Sequence, residues 1–92
     1  MQTMLINKVT DSFLNQFFNE IPVKNDVFTI ESNQKIFIFE SANVIDMIKK
    51  FSPKEQEYAK RQLKLYVAQK REINNCLEEI ATDYVRRYYG KH

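Results

Sequence analysis

The pattern of apolar residues changes along the chain and predicts a succession of helices interrupted by one pair of strands. From Ile6 to Ile21 apolar residues recur at three- and four-residue steps, which predicts an amphipathic helix with one wide apolar stripe. Pro22 should end this helix, because proline disfavours helical geometry at the residue before it and cannot continue the hydrogen-bond ladder.

Two short segments that follow are rich in β-branched and aromatic residues: DVFTIE at 26–31 and KIFIFE at 35–40. The SNQ sequence between them has turn chemistry, so we predict a β-hairpin with a loop of three to four residues. Phe28 and Ile30 should share one face. The second segment is apolar at four consecutive positions, so we expect both of its faces to be covered, by a helix or by a second copy of the chain.

Two helix starts follow the hairpin. Ser41 or Asn43 can cap a short helix whose apolar stripe runs to Phe51. The sequence SPKE at 52–55 then places a Ser at the N-cap, a Pro at the first helical position and a Glu three residues after the cap, which is the pattern of a capping box.

The remainder of the chain has no Gly or Pro until Gly90. It forms one long helix or two helices, with Asn74–Asn75 as the candidate interruption. We favour one long helix, because a tight helical hairpin usually contains Gly or Pro.

An apolar seam with alternating steps of four and three residues runs along this segment. Its members are Ala59, Leu63, Tyr66, Lys70, Ile73, Leu77, Ile80 and Tyr84. Such a seam packs on its own chain or meets another subunit. Its polar member, Lys70, marks either a register point between two chains or the place where the helix leaves the core.

These elements predict an α+β fold in one small domain spanning residues 1–92, with a helix–hairpin–helix core in 1–51 and a long helical segment in 52–90. A chain of 92 residues has a thin core, and oligomerisation is a common remedy. A homodimer would cover both the seam and the edges of the hairpin.

Basic residues are concentrated in the C-terminal half, although the net charge is only +2. On a helical wheel Lys60, Lys64 and Arg71 share one face, with Arg61 and Arg86 beside it. This face could follow a phosphate backbone, or it could be the solvated side of a surface helix.

The C-terminal sequence YVRRYYGKH offers a second candidate contact surface, formed by Arg86, Arg87, Tyr88 and Tyr89. Arginine and tyrosine are enriched at the hot spots of protein interfaces. The alternative is a helix end whose cations offset the helix dipole.

Catalytic and metal-binding patterns are missing from the sequence. The single cysteine, Cys76, suits a core position, and the single histidine is the last residue, His92. Neither a zinc cluster nor a glycine-rich phosphate loop is present, so we expect no cofactor and no catalysis. No apolar run approaches the roughly 18 residues of a membrane span, and we expect a cytoplasmic protein.

The sequence therefore predicts a small non-enzymatic interaction protein, a regulator, adaptor or inhibitor, that acts through its C-terminal helical segment as a homodimer. The alternative is a dimeric nucleic-acid-binding protein that uses the basic face of the long helix.

Overall fold

The computed structural model describes residues 12–90 and confirms the predicted α+β class. Its elements are α1 (Ser12–Glu20), β1 (Val27–Ser32), β2 (Lys35–Glu40), α2 (Ser41–Lys49), α3 (Pro53–Ala68) and α4 (Ile73–Tyr89). The predicted helical positions before Ser12, including Ile6, lie outside the described residues. The first helix ends at Glu20, just before Pro22, as predicted.

The hairpin is confirmed, but its loop is shorter than predicted. Ser32 pairs with Lys35, so only Asn33 and Gln34 form the loop, and their φ angles are 61° and 65°. Positive φ at both loop residues is the requirement of a type I′ turn, whose twist matches that of the flanking strands. The loop therefore closes in two residues without a glycine.

The two strands differ in burial. Phe28 and Ile30 on β1 are both 5% exposed and face the core. On the opposite face of the hairpin Ile36 and Ile38 remain 66% and 68% exposed. No described residue of the same chain therefore covers this outer face of β2, and its coverage by a second copy stays a prediction.

Helix α2 follows β2 without a loop. Its N-cap position is Glu40, which makes no capping bond through its side chain, so the predicted caps at Ser41 and Asn43 are wrong. Ser41 is instead buried, and its hydroxyl accepts from the Asp26 amide at 2.9 Å and donates to Asn74 Oδ1 at 2.7 Å. Helix α2 is fixed by the neighbouring elements rather than by its own cap.

The capping box at the start of α3 is confirmed. The Ser52 hydroxyl accepts from the Glu55 amide at 3.3 Å, and the Ser52 amide donates to the Glu55 carboxylate at 3.3 Å. Pro53 occupies the first helical position. Two of the unpaired amides of the helix start are thus satisfied.

The prediction of a single long helix is wrong, because α3 ends at Ala68 and α4 begins only at Ile73. Lys70 adopts a φ of 58°, and its amide bonds to the Val67 carbonyl at 3.0 Å. The Arg71 amide bonds to the Tyr66 carbonyl at 2.8 Å. This bond pattern is the Schellman motif, in which a left-handed residue ends a helix. A lysine takes the position that glycine usually fills, so the missing glycine does not prevent the turn.

The break lets α4 fold back along α3. The two helices run antiparallel, because Glu55 at the start of α3 contacts Tyr88 at the end of α4, while Tyr66 near the end of α3 contacts Glu79. Most of the seam then closes within the chain. Its buried members are Ala59, Leu63, Tyr66, Leu77 and Ile80, while Ile73 and Tyr84 are half-buried and Lys70 lies in the turn.

Candidate binding groove

The antiparallel pairing of α3 and α4 forms an open groove where α3 begins and α4 ends. The groove has a volume of about 580 Å³, and we call it the Arg/Tyr groove. It is lined by Ser52, Lys54, Glu55, Tyr58, Arg61, Arg87 and Tyr88. Three of these residues, Arg61, Arg87 and Tyr88, belong to the contact surfaces predicted from sequence.

Glu55 organises the end of the groove. Its carboxylate accepts from the Tyr88 hydroxyl at 2.5 Å and lies 3.4 Å from Arg87 Nη1. The hydrogen bond from Tyr88, more than any other contact, lowers the pKa of Glu55 below its usual 4.5. Glu55 is therefore ionised at neutral pH and holds both Tyr88 and Arg87 at the groove.

Tyr58 forms part of the groove wall, and a residue of α4 holds its side chain in place. Its hydroxyl donates to Asp83 Oδ2 at 2.6 Å. This hydrogen bond, with a further contribution from burial, raises the pKa of Tyr58 to about 12. The phenol is therefore neutral at physiological pH, and its ring and hydroxyl have a defined position.

Cations line the groove without full neutralisation. Lys54 and Arg61 are exposed, and neither lies within ion-pair distance of a carboxylate among residues 12–90. Arg87 Nη1 lies 3.4 Å from the Glu55 carboxylate, and the Arg87 side chain is 54% exposed. The groove therefore offers three cationic groups to a ligand in solution.

An aromatic cluster anchors the end of α4 beside the groove. The Tyr84 ring stacks on Phe51 with 5.9 Å between centroids, and Tyr88 lies 4.8 Å from Tyr84. Tyr89 contacts Phe37 of β2 at 5.0 Å. Tyr88 and Tyr89 nevertheless remain about half exposed, at 54% and 49%, so the cluster is both anchored and accessible.

The remaining predicted cations do not form one continuous face. Lys60 pairs with Glu57 at 2.8 Å, and Lys64 lies 5.0 Å above the Phe13 ring. Arg71 follows the end of α3 and stacks on Tyr66 at 4.1 Å.

The expected basic face assumed an uninterrupted helix. The break after Ala68 takes Arg71 off that face, and Arg86 lies on the second helix.

Sequence reasoning missed Lys54 and Tyr58 as groove residues. A wheel drawn through one long helix cannot bring Tyr58 next to Asp83, which is 25 positions further along the chain. Assigning the turn at Lys70 would have revealed the juxtaposition, because an antiparallel fold about that point brings the ends of 53–89 together.

Comparison with known proteins provides no relative. No family model, curated protein or solved structure matches this chain. Within residues 12–90, no helix combines the length and apolarity needed to cross a membrane. The same residues contain no group of three or more side chains that could hold a metal ion.

Proposed function

We propose that this protein is a small non-enzymatic interaction protein, a regulator, adaptor or inhibitor, that binds an acidic segment of a partner protein in the Arg/Tyr groove and acts as a homodimer. One observation carries the proposal. Lys54 and Arg61 flank a tyrosine-lined groove and have no ion-pair partner in the described chain. An acidic segment supplies the missing partners.

The fixed positions of the groove side chains support a binding role. Tyr58 and Tyr88 each donate to a carboxylate of the facing helix, at 2.6 and 2.5 Å. Side chains that are already ordered lose little conformational entropy when a ligand binds. Arginine adds charge-assisted hydrogen bonds to carboxylates, which are among the stronger polar contacts in proteins.

The shifted titratable groups give no support to catalysis. The pKa of Tyr58 is raised to about 12 and that of Glu55 is lowered, whereas a general acid or base works best with a pKa near the operating pH. Burial raises the pKa of the Cys76 thiol to about 12, which disfavours the reactive thiolate.

The test measures binding of a labelled peptide of alternating glutamate and tyrosine residues by fluorescence anisotropy. Arg61→Glu should weaken binding at least tenfold, equivalent to about 1.4 kcal/mol. Arg86→Glu is the matched control, because Arg86 is exposed and does not line the groove. Equal loss in the two variants, or no binding by the wild type, would reject the groove as an acidic-segment site.

The same assay with a DNA duplex and a single-stranded RNA separates the alternative function. Nucleic-acid binding through the basic side of α3 should fall steeply with salt. It should also depend on Lys64, which lies outside the groove, more than on Arg61. Salt-sensitive binding lost in Lys64→Glu and retained in Arg61→Glu would favour the nucleic-acid alternative over the proposal.

A further inference from the structure

The backbone of β2 has one edge bonded to β1 and one edge without a partner in the described chain. In a hairpin with a two-residue loop, the flanking pair, here Ser32 and Lys35, exchanges both hydrogen bonds. Bonding then alternates along the strand. The Ser41 amide continues the alternation by donating to the Asp26 carbonyl at 2.9 Å. The odd-numbered residues of β2 therefore bond β1, and the even-numbered residues point their backbone groups outward.

Ile36 and Ile38 provide the unpaired groups of this outer edge. Glu40 is also outward, but as the N-cap of α2 its carbonyl accepts the first bond of that helix. Outside the β1–β2 ladder, the backbone groups of Ile36 and Ile38 form no hydrogen bond with any described residue. An edge of this kind is a template for pairing with another strand.

The side chains of β2 add to the exposure of this edge. No residue of β2 is buried, whereas β1 buries Phe28 and Ile30. Ile36 and Ile38 project from the outer face, and the half-buried Phe37 and Phe39 project from the inner face. Proteins normally shield such an edge with charges, proline or a covering element. Four consecutive large apolar residues on an open edge are the reverse of that arrangement.

We propose that the outer edge of β2 pairs antiparallel with β2 of a second copy of this chain, which joins two hairpins into a four-stranded sheet. A two-fold axis perpendicular to the sheet requires that opposed residues lie on the same face. With Phe37 on the axis, Ile36 of each copy lies opposite Ile38 of the other, which gives two symmetry-related pairs. This register uses the N–H and C=O groups of both isoleucines and leaves none of them unpaired.

A second copy fits this edge because the edge is self-complementary. Its two outward-bonding residues are both isoleucines, so each copy presents the same backbone and side-chain pattern to the other. The pairing brings four isoleucines together on the outer face, and cross-strand pairs of β-branched residues stabilise a sheet. The inference gives a geometry to the homodimer of the proposed function and does not depend on what the groove binds.

Proline variants test which edge pairs. Ile38→Pro removes an outward amide that no bond in the described chain uses, and proline is tolerated on an edge strand. Thr29→Pro is the matched control, because Thr29 faces Ile38 in the register and points its amide to the free edge of β1. Sedimentation equilibrium at about 100 µM chain, far above a micromolar dissociation constant, should give twice the 11.0 kDa chain mass for the wild type and Thr29→Pro. It should give the single-chain mass for Ile38→Pro.

Charge variants test the register and remain informative if Ile38→Pro fails to fold. Both isoleucine side chains are exposed, so a single chain tolerates polar replacements. Ile36→Lys with Ile38→Lys should give a monomer by placing like charges opposite each other. Ile36→Lys with Ile38→Glu should restore the dimer, because the new ammonium at 36 then faces the new carboxylate at 38 of the other copy.

Three results would overturn the inference: a monomeric wild type, dimer loss in Thr29→Pro but not in Ile38→Pro, or no rescue by the lysine–glutamate pair. The mass measurement is independent of the peptide assay. A monomeric protein that still binds the acidic peptide through Arg61 would therefore reject the dimer and support the groove as a binding site. A dimer that does not bind the peptide would reject the groove and support the dimer.

Discussion

Asn74 at the start of α4 connects three parts of the fold through its side chain. Its amide nitrogen donates to the Lys24 carbonyl at 2.8 Å and to Asp26 Oδ2 at 2.9 Å. Its amide oxygen accepts from the Ser41 hydroxyl at 2.7 Å. Replacement by alanine removes all three bonds and releases the segment before β1 from the start of α4.

The expected loss follows from the partners. Two neutral bonds contribute about 1 kcal/mol each and the bond to a charged carboxylate about 1.5 kcal/mol, which gives about 3.5 kcal/mol in total. The Lys24 contact is exposed, and water replaces part of it in the variant. Asn74→Ala should therefore lower the free energy of unfolding by about 2 to 3 kcal/mol.

Asn75→Ala is the matched control. Asn75 is exposed and its side chain makes no hydrogen bond to the described residues, while both replacements improve helix propensity by a similar amount. Urea unfolding followed by circular dichroism should show a midpoint lower by about 2 M in Asn74→Ala, for a slope near 1 kcal/mol/M. Midpoints within about 0.5 M of each other would show that the network contributes little, and the reasoning would fail.

Three further predictions concern the core, the turn and pH. Leu63→Ala should destabilise by about 2 to 5 kcal/mol, since Leu63 is fully buried, and Leu65→Ala by much less, since Leu65 is 45% exposed; urea unfolding checks both. Lys70→Gly should stabilise by about 1 kcal/mol, because φ is 58°, while Lys70→Ala should not. The hydrogen bond from Tyr88 is the main cause of the lowered pKa of Glu55, so ionised Glu55 stabilises the fold above its usual pKa. This stabilisation is lost as the pH falls through the lower pKa of the folded state. Thermal unfolding of Tyr88→Phe between pH 5 and 3 should therefore show a smaller loss of stability than the wild type.

The sequence predicted the elements whose signals are local. Pro22 ends α1, and Ser52 with Glu55 starts α3, because each signal acts within a few residues. The hairpin was predicted from β-branched and aromatic content, but its loop length was not. Asn33 and Gln34 both take positive φ, which for glutamine is an uncommon conformation.

The sequence did not predict the turn at Lys70 or the groove that depends on it. A lysine in the left-handed conformation gives no signal in the amino-acid composition. The apolar seam also continues through the turn unchanged, because both helices use their part of it to pack on each other. The polar network around Ser41 was missed for a related reason: its bonds to Asp26 and Asn74 join positions 15 and 33 residues away. Contacts at that separation depend on the tertiary fold, so local propensity does not predict them.

The groove and the proposed dimer edge meet at consecutive residues of α4. Tyr88 donates to Glu55 in the groove, while Tyr89 contacts Phe37 of β2 at 5.0 Å. A second copy paired about Phe37 would restrict that ring, and with it Tyr89 and the end of α4. A groove ordered in advance binds with a smaller loss of entropy.

Dimerisation and binding should therefore favour each other, and linkage requires the effect to be the same in both directions. The dimer dissociation constant should fall when the acidic peptide is present at saturation. An unchanged constant would mean that the two surfaces act independently, although they share one helix end.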